Sequence, residues 1–473
     1  MHRTLLCAVA IATAWGAPLP ALAQDAELSK IRDEIRQMKD AYEKRIGALE
    51  MRLQEAEMRA GKAEATANNA QDAANQAAVQ ASGRPAGEGA FNPAISVILN
   101  GTLGNLKHDP DRYRINGFAP TLGEVAPPKR GLSLGESELT LSANVDHLFR
   151  GNLFAALAPE GGIDVEEAYL QTLGLSKGFT VKAGRFFSSV GYLNEIHAHA
   201  WDFTDAPLAN KVFLGNQLGE DGFQVKWVAP TELYLDLGVE IGRGRRFPGG
   251  AGGGRSKNGF GSGNFFAHLG GDIGASTAWR AGVSHLRTSP RDRAYGDVDS
   301  TGTAVTNGYS GRSRLWVMDG VLKWSPNGNS VHTNLKLQGE YFRRSESGDL
   351  TYDTQAASLG TRTGSSRSKQ SGWYAQGVYQ FMPEWRIGYR YDRLKAGTTD
   401  IGLVNAGALS AADFPVLGTH NPKRNTVMLD WSPSEFSRWR LQLARDYARF
   451  GEPDNQIFLQ YIMSLGAHGA HKF

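Results

Sequence analysis

The chain holds a single cysteine, Cys7, and none after it. Disulfides, cysteine nucleophiles and Cys-type zinc sites are therefore excluded from everything downstream. Beyond the first two dozen residues no run of about 18 apolar residues occurs, so there is no candidate for a transmembrane helix and any membrane role must come from a barrel. Neither sign of charge dominates: 51 Lys and Arg stand against 48 Asp and Glu, for a formal charge of +3. A nucleic-acid partner, which calls for a clustered basic surface, is not expected.

The first segment, 1–23, has a short basic start (His2, Arg3), an apolar stretch from Leu5 to Trp15, and Ala21-Leu22-Ala23 before Gln24. It reads as a cleaved signal peptide, since its apolar core is too short for a membrane anchor. From 24 to 81 proline is absent and glycine occurs twice, at Gly47 and Gly61. Apolar residues there recur at Leu28, Ile31, Ile35, Met38, Tyr42, Ile46, Leu49 and Leu53, then as alanines from Ala56 to Ala81. Such 3-4 spacing predicts a helical coiled coil, with a stutter between Tyr42 and Ile46. A lone solvated helix is the alternative, because an alanine seam buries little area. Residues 82–90, rich in glycine and broken by Pro85, read as a flexible linker.

In 91–473 the period changes to two. Phe223, Val225 and Trp227 alternate with Gln224 and Lys226, and Leu235, Leu237, Val239 and Ile241 alternate with Asp236, Gly238 and Glu240. Aromatic residues precede proline turns at Pro326, Pro383 and Pro433, while Pro230 marks another turn. Counting turns near 147, 176, 230, 275, 327, 383 and 433 gives seven short connections, with longer segments rich in Gly, Ser, Thr and Arg between them (242–263, 288–311, 343–372, 396–423). Seven short turns plus two chain ends on one side require 16 strands. The sequence thus predicts an all-β fold, a 16-stranded antiparallel transmembrane β-barrel with an N-terminal α-helical coiled coil. A secreted β-sandwich would alternate too, but needs no long loops confined to one side.

The final strand alternates Leu459, Tyr461, Met463 and Leu465 with Gln460, Ile462 and Ser464, and Phe473 stands last, similar to the assembly signal of outer-membrane proteins. The whole mature chain resembles Gram-negative outer-membrane porins, particularly the phosphate-selective superfamily, on the stretch Ala183-Gly184-Arg185-Phe186-Phe187 through Glu195. It also resembles a coil-bearing group, sometimes labelled zinc-regulated or TonB-dependent receptors, in His197-Ala198-His199-Ala200-Trp201-Asp202-Phe203 and in the tail containing His468 and His471. A TonB-dependent transporter needs a 22-strand barrel and a globular plug, for which residues 25–90 do not suffice. The lysine-rich loop pattern of the phosphate porins is missing, so phosphate selectivity does not carry over.

The resemblance to porins implies that the third outer loop, Ser188 to Gly219, folds inward and narrows the lumen. Tyr192, Trp201 and Phe203 would brace it, while Glu195, His197, His199, Asp202, Asp205 and Lys211 would line an eyelet. Lys182, Arg185, Glu136, Glu138, Glu167 and Lys226 would face them from the wall. His197 and His199, alternate residues of an extended segment, are candidate metal ligands with Glu195 or Asp202 as a third. Solvated histidines that bind nothing are the alternative. No serine–histidine pair suggests a lipase, and the glycines 249–254 lead into Arg255-Ser256 rather than the lysine of a phosphate loop, so no catalytic residue and no cofactor is expected. The reading is a homotrimeric outer-membrane porin for small solutes or ions, seated in lipid with its coil in the periplasm near peptidoglycan. Its alternatives are a divalent metal (zinc) channel and a structural tether to the cell wall.

Overall fold

The computed structural model describes residues 93–121, 125–158, 161–250 and 258–466, together with a few helical positions between 33 and 51. The expected signal peptide, linker, alanine seam, His468, His471 and Phe473 lie outside the described residues. Two compact units divide the chain at residue 90. In the first, residues 36–41 are helical, and Lys39 pairs with Glu43 one turn on at 3.7 Å. Met38, Ile46 and Met51 are exposed.

The second unit is one sheet of eighteen strand segments. In chain order they are β1 (Ala94–Leu106), β2 (Gly131–Leu134), β3 (Ser137–Asn144), β4 (Phe149–Leu157), β5 (Ile163–Thr172), β6 (Phe179–Phe187), β7 (Gly219–Val228), β8 (Tyr234–Gly242) and β9 (Ser262–Ile273). There follow β10 (Thr277–Thr288), β11 (Arg293–Val298), β12 (Ala304–Trp324), β13 (Asn334–Tyr352), β14 (Arg362–Met382), β15 (Trp385–Ile401), β16 (Lys423–Ser434), β17 (Ser437–Asp446) and β18 (Asp454–Gly466). β2 and β3 both pair with β1, and β10 and β11 both run beside β12. Each couple is a single interrupted stave, which leaves 16. β1 pairs antiparallel with β18 from Ser96–Gly466 to Leu106–Gln456 and closes the barrel. Closure satisfies the edge groups that lipid would leave unbonded.

The staves explain themselves by their alternation. On β17, Leu441 and Leu443 are exposed while Arg440 and Gln442 are buried, and on β18 Ile457 and Leu459 are exposed against buried Gln456 and Gln460. Greasy residues outside and polar ones inside invert the soluble pattern, as a lipid-embedded barrel demands. All seven expected short turns fall between consecutive staves at one rim, with Pro230, Pro326 and Pro383 in them and Pro433 at the end of β16. The start of β1 and the end of β18 share that rim.

The opposite rim differs from expectation in part. Segments 288–311 and 343–372 are mostly strand rather than loop, because β12 and β14 reach 21 residues and β13 reaches 19. At about 3.3 Å per residue such a strand is roughly 70 Å long, more than an apolar band ~25 Å tall requires even at a tilt of ~40°. These hairpins therefore project beyond the band as a β-rich collar.

Candidate constriction and carboxylate–histidine cluster

Residues 188–218, between β6 and β7, turn into the barrel and cross it. Carboxylates on the wall catch the entering backbone. Glu240 on β8 accepts from the Ser189 amide at 2.8 Å and from the Ser188 hydroxyl, and Glu340 on β13 accepts from the amides of Tyr192 and Leu193. Gly191 sits at φ +73°, and a Cβ there would lie 2.3 Å from the Glu340 carboxylate, so only glycine lets this amide turn approach. Further along, Asp392 on β15 accepts from the Leu208 amide at 2.8 Å, where a short helix (Leu208–Leu214) begins.

The far wall supplies cations. Asp205 accepts from Arg390 at 2.9 Å and Arg424 at 2.6 Å, and from Lys211 of the loop's own helix at 3.0 Å, while Asp202 pairs with Lys336 at 2.9 Å and Arg386 at 3.3 Å. Arg440 donates to the Trp201 carbonyl at 2.9 Å, and Arg438 donates to that of His199. Burial disfavours the Asp205 carboxylate, but Arg424, Lys211 and Arg390 more than offset it and hold its pKa well below the ordinary value. Apolar packing completes the anchorage: Val190, Leu208, Val212 and Phe213 join Leu315, Val317, Phe342 and Leu394 of the wall, with Ile115 and Phe118 from the loop after β1. Tyr192, Trp201 and Phe203 are all buried, as their bracing role requires.

The two histidines meet a different part of the wall. His197 Nδ1 lies 3.0 Å from Glu138 Oε2 on β3 and 3.3 Å from Glu166 Oε2 on β5, while its Nε2 lies 2.9 Å from Glu167 Oε2. His199 Nδ1 lies 3.3 Å from the same Glu138 oxygen. The other oxygen of Glu138 accepts from the Thr140 hydroxyl at 2.9 Å. His197 stacks on Phe154 at 4.6 Å and on His199 at 5.8 Å, with the Phe187 edge at 5.1 Å. Burial favours the neutral imidazole, yet hydrogen bonds to Glu138, Glu166 and Glu167 outweigh it and raise the His197 pKa well above its ordinary value.

Adjacent glutamates reach one ring because β5 bulges. Phe154 pairs with Glu167 but Ala155 pairs with Val165, which leaves Glu166 as an extra residue. On the other edge of β5, Gly184 of β6 pairs with Tyr169 and takes φ +128°, where a Cβ would lie 2.3 Å from the Ala168 carbonyl oxygen.

The expected eyelet is thereby redistributed. Glu195 accepts from Ser189 at 2.6 Å near the start of the loop, and Lys182 is buried on the inner face over the Tyr169 ring at 4.7 Å. Lys226 faces inward within 4.0 Å of Asp236. Glu136 falls in the break between β2 and β3. Arg185 does not line the lumen: it shares the outward phase of β6 with Ala183, opposite exposed Phe223, and pairs with Asp221 at 2.7 Å. Lys182 and Arg185 are three residues apart, and a period of two sends them to opposite faces. Asp205 and Lys211 are buried together and anchor the loop rather than line a passage. Residues 198–200 form a 3-10 turn instead of an extended segment, and the carboxylates found beside the two histidines are those of the wall residues Glu138, Glu166 and Glu167. Sequence reasoning missed Glu166, which only the bulge turns inward, and the basic set Arg386, Arg390, Arg424, Arg438 and Arg440, whose signal was arginine recurring in the inward phase of β15 to β17.

No family model matches the sequence. Among solved structures the chain is similar to a loop-deletion mutant of OmpT, an outer membrane protein of Vibrio cholerae, at 12% identity and TM-score 0.49, covering 79% of this chain and 99% of that one. It is similar also to an anion-selective porin from Comamonas acidovorans (11% identity, TM-score 0.46, 79% and 99% covered). The outer membrane channel DcaP of Acinetobacter baumannii is a third such structure (12%, TM-score 0.44, 79% and 97%). A protein of Aquifex aeolicus (strain VF5), described only as uncharacterized, is 31% identical over 423 residues, 82% of this chain and 81% of its own length. At that identity over four fifths of both chains, this protein, a closed barrel of 16 staves, belongs to one family with the Aquifex aeolicus protein.

Proposed function

We propose that the protein is an outer-membrane pore through which small hydrophilic solutes or ions diffuse passively, with residues 188–218 as its constriction. The observation that carries this is the crossing loop itself: it is pinned at both walls by buried charge, in a barrel whose exterior is apolar and whose interior is polar. Acidic groups on β3, β5 and β8 face a basic set on β15 to β17, so a solute passing the loop meets a transverse field rather than a ring of one sign. The short-turn rim is the periplasmic one in this reading, and the segment 24–81 is proposed as a coiled coil that joins three copies. Exposure of Met38 and Ile46, both seam positions, supports that assembly, since such residues want a partner. Reconstitution into a planar bilayer tests the function: stepwise ohmic currents are expected, and folded protein that inserts without conducting would leave the tether reading in its place.

A further inference from the structure

We infer that Glu138, Glu166, His197 and His199 form a binding site for one first-row divalent cation, of which Zn2+ is the best match, and that the bound ion staples the crossing loop to β3 and β5. The inference rests on the constriction reading above and adds a ligand to it. Around Glu138 Oε2 the neighbouring donor atoms are His197 Nδ1 at 3.0 Å and His199 Nδ1 at 3.3 Å, and Glu166 Oε2 stands 3.3 Å from His197 Nδ1. A tetrahedral ion with bonds of about 2.05 Å separates its ligands by about 3.3 Å. The donors Glu138, Glu166 and His197 lie within 4.8 Å of one another, so a cation needs little rearrangement to be held. Two imidazoles and two carboxylates suit zinc, copper, cobalt or nickel better than calcium or magnesium, which prefer oxygen alone.

The surrounding groups are those a built site requires. His197 Nε2 faces Glu167 at 2.9 Å, the carboxylate–histidine pair that fixes a ring so that its other nitrogen can ligate. Glu138 is oriented through its second oxygen by Thr140, and Phe154 and Phe187 hold the His197 ring from two sides. The β5 bulge is what lets Glu166 ligate while its neighbour Glu167 orients. Both histidines belong to the crossing loop and the glutamates to the wall, so occupancy couples metal binding to the loop's position, with Arg438 holding the His199 carbonyl from the basic wall.

The test uses the full-length protein in detergent, purified without a polyhistidine tag, with Zn2+ binding measured by equilibrium dialysis and Co2+ by absorption. About one Zn2+ per chain at micromolar or lower concentration is expected, and Co2+ should give the intense visible bands of a tetrahedral site. His197→Ala with His199→Ala, or Glu138→Gln alone, should weaken binding tenfold or more. Glu167→Gln, which removes only the orienting group, should weaken it roughly 10- to 100-fold while keeping the tetrahedral spectrum. His468→Ala with His471→Ala should change nothing. Binding undiminished in the double histidine variant, or wild-type protein that binds no metal and shows no tetrahedral band, overturns the proposal and leaves the cluster a charged pin. The wild-type Co2+ spectrum decides even where a variant fails to fold. Conductance measured in chelator is independent of all these outcomes, so failure of the metal site and failure of the pore remain distinguishable.

Discussion

Asp205→Ala removes the acceptor on which Arg390, Arg424 and Lys211 converge at 2.6–3.0 Å, a site where all three cations are 1–2% exposed. Breaking a buried pair by deleting one partner costs about 3–5 kcal/mol, because the surviving charges stay desolvated. Arg390 and Arg424 retain Asp392, at 3.2 and 3.5 Å, which places the cost near the lower bound, about 3 kcal/mol. At 1.4 kcal/mol per decade that is a shift of roughly 100-fold or more in the equilibrium between the pinned and released loop. Single-channel recording should then show a higher mean conductance with frequent steps to wider levels, and limited proteolysis should cut between 196 and 215 where the wild type resists. Wild-type conductance and noise in a folded Asp205→Ala barrel would refute the anchoring role.

Acid tests the same anchor through its sign. A carboxylate whose folded pKa is depressed stabilises the fold fully above its unfolded value near 4 and loses that contribution only as pH falls through the folded value; the Asp205 anchor should keep its ion pairs from pH 7 to pH 4 and yield only below, which adds a conductance step below pH 4 that Asp205→Asn should lack. Gly184→Ala places a methyl against the Ala168 carbonyl at φ +128°; a loss of about 1–3 kcal/mol is expected in urea unfolding from micelles, and an unchanged midpoint would contradict the packing described. Leu441→Arg, on the lipid face beside inward Arg440, should cost about 2–4 kcal/mol if it lies near the bilayer midplane, whereas a surface-like effect near zero would place β17 outside the membrane. Deleting 25–81 should convert a trimer to monomers in mild detergent while leaving a folded barrel, as light scattering and heat-modifiable gel migration would show.

What could be read from the chain and what could not divides along sequence distance. Turns at Pro230, Pro326 and Pro383 and the alternation on β7, β8 and β18 are local, and local signals sufficed for 16 staves. His197, His199, Asp202 and Asp205 were legible as a polar loop bound for the lumen, but their roles were not. Asp205 meets Arg424 219 positions away, and no periodicity announces which arginine a loop carboxylate will find. Glu138 and Glu167 were placed on the wall correctly because they hold the inward phase, while Glu166 was passed over because a bulge suspends that phase. Arg185 failed for the converse reason, being assigned to the same face as Lys182 against the period of two.

The most direct test of the central account is single-channel recording of the full-length protein in a planar bilayer in the presence of chelator, comparing wild type with Asp205→Ala. Discrete ohmic openings in the wild type, wider and noisier in the variant, are the predicted result. A folded, inserted wild-type barrel that carries no current, or a variant indistinguishable from a conducting wild type, would contradict the claim that residues 188–218 form the constriction of a pore.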